Sequence, residues 1–107
     1  MNEVYRIILL PEVVSDLASI HDFIERDSPQ NAVAVIRKLM ESIDTLDQFP
    51  QRCKIHLSST VADRVVRSMS EPPFIIYYRV IDLDHVVEVM TIRHGARKQP
   101  KRFKRRG

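Results

Sequence analysis

The chain reads as an α+β fold in which a helical hairpin packs on one face of a twisted, mainly antiparallel sheet, in the order β-α-α-β-β-β. Three observations predict it. Two apolar stripes of helical period lie between residues 12 and 48, separated by a break of two or three residues. One β-branched run precedes them, and three β-rich runs follow.

The first strand is Val4 to Leu10, VYRIILL, which is too short for a helix and is stopped by Pro11, a residue with no N–H for further ladder pairing. Pro11 suits the first turn of a helix. Glu12 and Asp16 add negative charge near that N-terminus, where the helix dipole favours it. Val13, Leu17, Ile20 and Ile24 then recur at spacings of four, three and four, which predicts a helix over about 12–26.

Ser28-Pro29 is a second start signal, with the serine oxygen placed to accept from an orphan N–H of the first turn. Ala32, Val35, Ile36, Leu39, Met40, Ile43 and Leu46 form the clearest stripe in the chain, a helix from about 29 to 48 ended by Phe49-Pro50. So short a connection makes the two helices antiparallel, with a shared apolar face.

Residues 50–64 lack periodicity and read as loop. Strands are predicted at 65–69, 74–82 and 85–93, with Glu71-Pro72-Pro73 breaking the first pair and Leu83-Asp84 closing a tight hairpin. On the middle strand of the three, Phe74, Ile76, Tyr78 and Val80 are expected to face the helices. Ile75, Tyr77, Arg79 and Ile81 are expected on the open face, since that set carries the charge. On the last strand both alternating sets are apolar, and periodicity does not choose between them.

At 107 residues the chain is large enough for one self-sufficient core without disulfides or metals, and its 44% hydrophobic and 29% charged content is that of a globular domain. The formal charge of +3 conceals an asymmetry. Seven of the 17 Lys and Arg lie in residues 97–107, which contain no acid, so the tail is near +7 and residues 1–96 near −4. We therefore expect one domain over 1–96 and a basic tail over 97–107, suited to phosphates or an acidic partner.

The lone Cys53 makes no internal disulfide, MNEVYRIILLPEVV lacks the features of a signal peptide, and no apolar run is long enough to cross a bilayer. The default location is the cytoplasm, with no membrane contact. His21, His56, His85 and His94 with Cys53 lack metal-ligand spacing, and Gly95 is the only glycine before the terminal one. No metal or cofactor is expected.

In order and spacing these parts resemble the RelE/ParE superfamily of bacterial toxins from type II toxin–antitoxin pairs, over about residues 4–97. The likeness is carried by DLASIHDFI in the first helix, SPQNAVAVIRKLMESIDTLDQFP, Arg67, the IYYRV strand and the closing RHGAR. It implies a small toxin neutralised by a cognate antitoxin whose segment folds as it wraps the toxin, with oligomers built through that antitoxin. RelE-like members cleave mRNA on the ribosome, whereas ParE-like members act on DNA gyrase.

Metal-free RNA cleavage needs a base, a cation on the phosphorane and an acid for the leaving oxygen. RelE-like toxins carry an arginine second in the central-strand motif, where this chain has Ile75. They carry another two residues after the glycine ending the last strand, which matches Arg97, and a tyrosine eight after it, where this chain has Phe103. For a rearranged nuclease site the candidates are Arg67, Arg79, His94, Arg97 and Lys98. The HGAR ending and the long second helix with its DTLDQFP close look more like ParE-like members, for which no active site is required. In that reading Tyr77, Arg79, Arg93, Arg97, Lys101 and Arg102 are the expected target contacts.

Overall fold

The computed structural model describes residues 4–60 and 64–96. The predicted architecture is present, with one strand added. Strand β1 (Arg6–Leu9) leads into α1 (Pro11–Glu25) and α2 (Pro29–Asp44), and two 3-10 turns, Thr45–Asp47 and Pro50–Arg52, follow. Then come β2 (Lys54–Leu57), β3 (Val66–Glu71), β4 (Phe74–Ile81), a further 3-10 turn at Asp82–Asp84, and β5 (Val86–His94).

The sheet has five strands in the order β1-β5-β4-β3-β2, antiparallel throughout except for the parallel β1–β5 pair. The edge strand β2 corrects the loop expected over 50–64. Its four residues are too few to show an alternation, and pairing with β3 makes it a strand. The second helix also ends earlier than its stripe suggests: Leu46 stays fully buried, but on a 3-10 turn beyond Asp44. The hairpin before β5 uses the whole Asp82–Asp84 turn, closed by His85 at a left-handed φ of 51°.

Local signals account for the helices. Ser28 Oγ accepts from Asn31 N at 3.2 Å, and Pro29 opens α2, while α1 starts on Pro11 without a side-chain cap. Val13, Leu39, Ile43 and Leu46 from the helical layer pack on Ile76, Tyr78, Val80, Val87, Val89 and Ile92 of the sheet. A smaller cluster on the other face joins Val66, Tyr77 and Met90, with Leu10, Leu57 and Ile75 against it.

The undecided facing of β5 is resolved by a β-bulge. Tyr77 pairs with Thr91 and Tyr78 with Val89, so Met90 is the extra residue. Before it, Val87 and Val89 face the helices; after it the phase reverses and Ile92 does. Both sets therefore supply the helix-facing core, each over half the strand.

Candidate functional site

The position of one concave feature follows from a mismatch in strand length. Strand β1 covers the edge of β5 only from Val86 to Val89, and Leu10 N donating to Val89 O at 3.0 Å is the last step of that pairing. Beyond it the edge of β5 meets α1. Asp16 there accepts from Thr91 Oγ1 at 2.7 Å and from Ile92 N at 2.9 Å, replacing the missing strand partner.

Next to this clamp lies a groove of about 740 Å³ between α1, the start of α2, the Pro73-Phe74 turn and the end of β5. Ile20, Ile24, Val35, Phe74 and Ile92 give it an apolar lining, and Asp16, Asp22, Arg26, Arg93 and His94 add charge and hydrogen-bonding groups. Phe23 also lines it and is 69% exposed. The sequence carried a sign of this, because Phe23 adds an apolar residue beside the stripe of α1.

Arg93 and His94 are the predicted residues that this groove brings together. The Arg93 side chain is about half exposed, with Nε donating to Thr91 Oγ1 at 3.2 Å and Nη2 at 3.6 Å from Glu12 Oε2. His94 is exposed, stacks edge-on against Phe74 at 5.7 Å, and accepts from Ala96 N through Nδ1 at 3.1 Å. In the neutral ring that bond leaves the proton on Nε2.

The other predicted residues lie elsewhere. Arg67 pairs with Tyr78 and so faces the helical side of the sheet, where Nη1 donates to Cys53 O at 2.8 Å. Arg79 is on the opposite face, its Nε 2.8 Å from Glu88 Oε1, with only 12% of the arginine side chain and none of the glutamate side chain exposed. His94 pairs with Phe74, four residues along β4 from the partner of Arg67, a separation of about 13 Å along the strand. Arg67, Arg79 and His94 thus do not converge. Arg97, Lys98, Lys101 and Arg102 lie outside the described residues, as does Phe103.

Tyr77 is on the predicted face but is 1% exposed, covered in part by His56 at a ring separation of 4.7 Å. Burial raises its phenol pKa against the opposing pull of Arg93. Tyr77 and Arg79, expected on an open face, are therefore not open: one is buried in an apolar cluster and the other is held by a buried carboxylate. Nothing in the alternation of β4 identifies these partners, although Glu88 is visible in sequence as an acid within an apolar run.

His21, Asp22 and Glu25 form an acidic group on one turn of α1, with ligand-type atoms within 4.8 Å of one another. The two ring nitrogens sit 3.4 Å from Asp22 Oδ1 and 3.7 Å from Glu25 Oε2, as in a surface i,i+4 pairing. Among the described residues, no helix is long and apolar enough to cross a membrane.

Comparison with known proteins gives a family match across the fold. A family model described as the ParE toxin of the type II toxin–antitoxin system parDE matches residues 7–99. Toxin RelE2 of Caulobacter vibrioides is 33% identical over 84 residues, which cover 78% of this chain and 88% of that protein. Among solved structures, the chromosomal ParDE system of P. aeruginosa superposes with a TM-score of 0.68 at 18% identity, covering 86% of this chain and 97% of that one. The archaeal RelE–RelB complex of Pyrococcus horikoshii superposes at 0.65 and 21% identity, covering 89% and 99%. At these identities the structural likeness is one of fold.

Proposed function

The chain belongs to the ParE toxin family of type II toxin–antitoxin systems, within the RelE/ParE superfamily, and from that premise we propose that it arrests growth by binding DNA gyrase and is neutralised by a cognate antitoxin. The observation that carries this reading is the separation of Arg67 and Arg79 onto opposite faces of the sheet, one held on the Cys53 carbonyl and the other on Glu88. A nuclease of the RelE type needs several cations around one phosphate. Position 75, where such a toxin carries an arginine, is Ile75.

In this reading the protein acts as a binding module in the cytoplasm, and no cofactor or metal takes part. Arg93 on the groove wall and Arg97, Lys101 and Arg102 beyond it contact the target, while Tyr77 and Arg79 shape the sheet behind them. The +7 segment meets an acidic surface of gyrase or the DNA held by it. The neighbouring ParDE and RelE–RelB structures are toxin–antitoxin systems, which supports an antitoxin as the partner.

The deciding experiment induces the chain without its antitoxin and assays purified protein on gyrase. Filamentous cells, a DNA-damage response and loss of supercoiling are expected. Translation collapsing first, with cut transcripts and intact supercoiling, would instead establish the mRNA endonuclease reading.

A further inference from the structure

At the end of the sheet away from the groove, three segments meet around one polar knot. Tyr5 OH donates to Asp82 Oδ1 at 2.8 Å, and Gln51 Nε2 reaches both the same oxygen, at 2.7 Å, and Tyr5 OH, at 3.0 Å. Each of these segments also presents a large apolar side chain to solvent: Val4 at 63% exposure, Phe49 at 68% and Leu83 at 97%.

Phe49 is held there at a backbone cost. Its φ of 44° and ψ of 59° are left-handed, a region that bulky side chains rarely adopt. Arg52 secures it by donating from Nη1 to the carbonyls of Gln48 at 2.9 Å, Thr45 at 3.2 Å and Phe49 at 3.3 Å, while Tyr78 OH donates to Pro50 O at 2.5 Å from the buried side. An exposed phenyl ring carried on strained, well-held backbone is the form of a preorganised binding anchor.

The surroundings specify the charge of what it binds. Asp44 and Asp47 precede it on one segment and Asp82 and Asp84 lie on another, four acids against the two cations Arg6 and Arg52. The complementary ligand is basic and carries an aromatic group. Residues 97–107 of this same chain have that character, with seven cations, no acid and Phe103.

A chain would bring that ring to its own patch only by running the tail back along the whole length of the sheet at full extension. Strand β5 runs from Val86, beside the patch, to His94, a span of about 26 Å. Phe103 is seven residues past Ala96 and extends at most about 25 Å from it, while Phe49 and Leu83 lie beyond the start of the strand. We propose that the Val4–Phe49–Leu83 patch is a self-association site that seats the basic Phe103 segment of a second copy, giving a two-fold dimer in which the segments are exchanged.

Sedimentation velocity of the purified full-length chain over micromolar concentrations tests this. A monomer–dimer equilibrium weakened by added salt is expected. Leu83→Ser, at a site 97% exposed and so neutral to folding, and a Lys101→Gln, Arg102→Gln, Phe103→Ser variant should each raise the dimer Kd about tenfold or more. An equimolar mixture of the two variants, having one intact contact between them, should still form a heterodimer.

A monomer at every concentration overturns the proposal. So does a dimer sensitive to Leu83→Ser but indifferent to the tail variant, which would mean patch packed on patch. A monomer whose hydrodynamic radius changes with the tail variant would assign the seat to the chain's own segment, and also overturns the exchange.

Discussion

One carboxylate oxygen of Asp16 in α1 accepts the backbone N–H of Ile92 at 2.9 Å while also accepting from Thr91 Oγ1 at 2.7 Å. A helix side chain thus completes the edge of β5 where β1 stops. Asp16→Ala leaves that N–H without its acceptor and should lower stability by about 1–3 kcal/mol, read as a fall in the urea midpoint with an unchanged m-value. Hydrogen exchange at Ile92 should speed up more than at Val87, whose register lies beside β1.

The Arg79–Glu88 pair yields a second expectation. Arg79→Met takes the paired cation from a carboxylate that is 0% exposed and should cost about 3–5 kcal/mol, whereas Arg79→Met with Glu88→Leu should recover most of that loss. Denaturant titration of the single and double variants measures the recovery. A double variant no more stable than the single one would show that Glu88 holds the sheet through other partners.

Tyr78 makes the protein sensitive to alkali. Its phenol is fully buried and donates to Pro50 O, so its pKa is raised, chiefly by burial. The unfolded phenol ionises near pH 10 and the folded one only above that, so this contribution is complete below about pH 10 and falls as pH rises further. Tyr78→Phe should lower stability at pH 8 by about 1 kcal/mol for the lost hydrogen bond and flatten the decline between about pH 10 and 11.

Phe49→Gly should hold or raise stability by up to about 1 kcal/mol, because glycine adopts a φ of 44° without strain and the phenyl is 68% exposed. Phe49→Val should lower it, since a β-branched residue fits this conformation poorly. Thermal melts of the two variants against the parent decide the sign.

Arg93 separates function from folding. Its contacts are a partly exposed ion pair with Glu12 and a bond to Thr91, so Arg93→Ala should change stability by less than about 1 kcal/mol. In the gyrase reading the same substitution should weaken inhibition of supercoiling several-fold, with the melting curve as the control for folding.

Much of this arrangement was legible in the order of residues. The two stripes, the Ser28-Pro29 start, the alternation of Phe74 to Ile81 and the +7 tail each lie within one segment, and a period of 3.6 or 2 shows without any knowledge of partners. The physics is local: a helix or strand must segregate its own apolar face.

Register and reach were decided only by the tertiary structure. Arg67 and Arg79 look equivalent as strand arginines, yet pairing with Tyr78 turns Arg67 to the helical side, while Arg79 faces Glu88 on the other. The bulge at Met90 exchanges the two faces of β5 midway, so no single alternation could have described that strand. Four residues of β2 become a strand only because β3 supplies their partners. Asp16 finds Ile92 across 76 positions of chain. Periodicity belongs to a single element, whereas register, bulges and clamps belong to pairs of elements, and they exist only once the chain has folded back on itself.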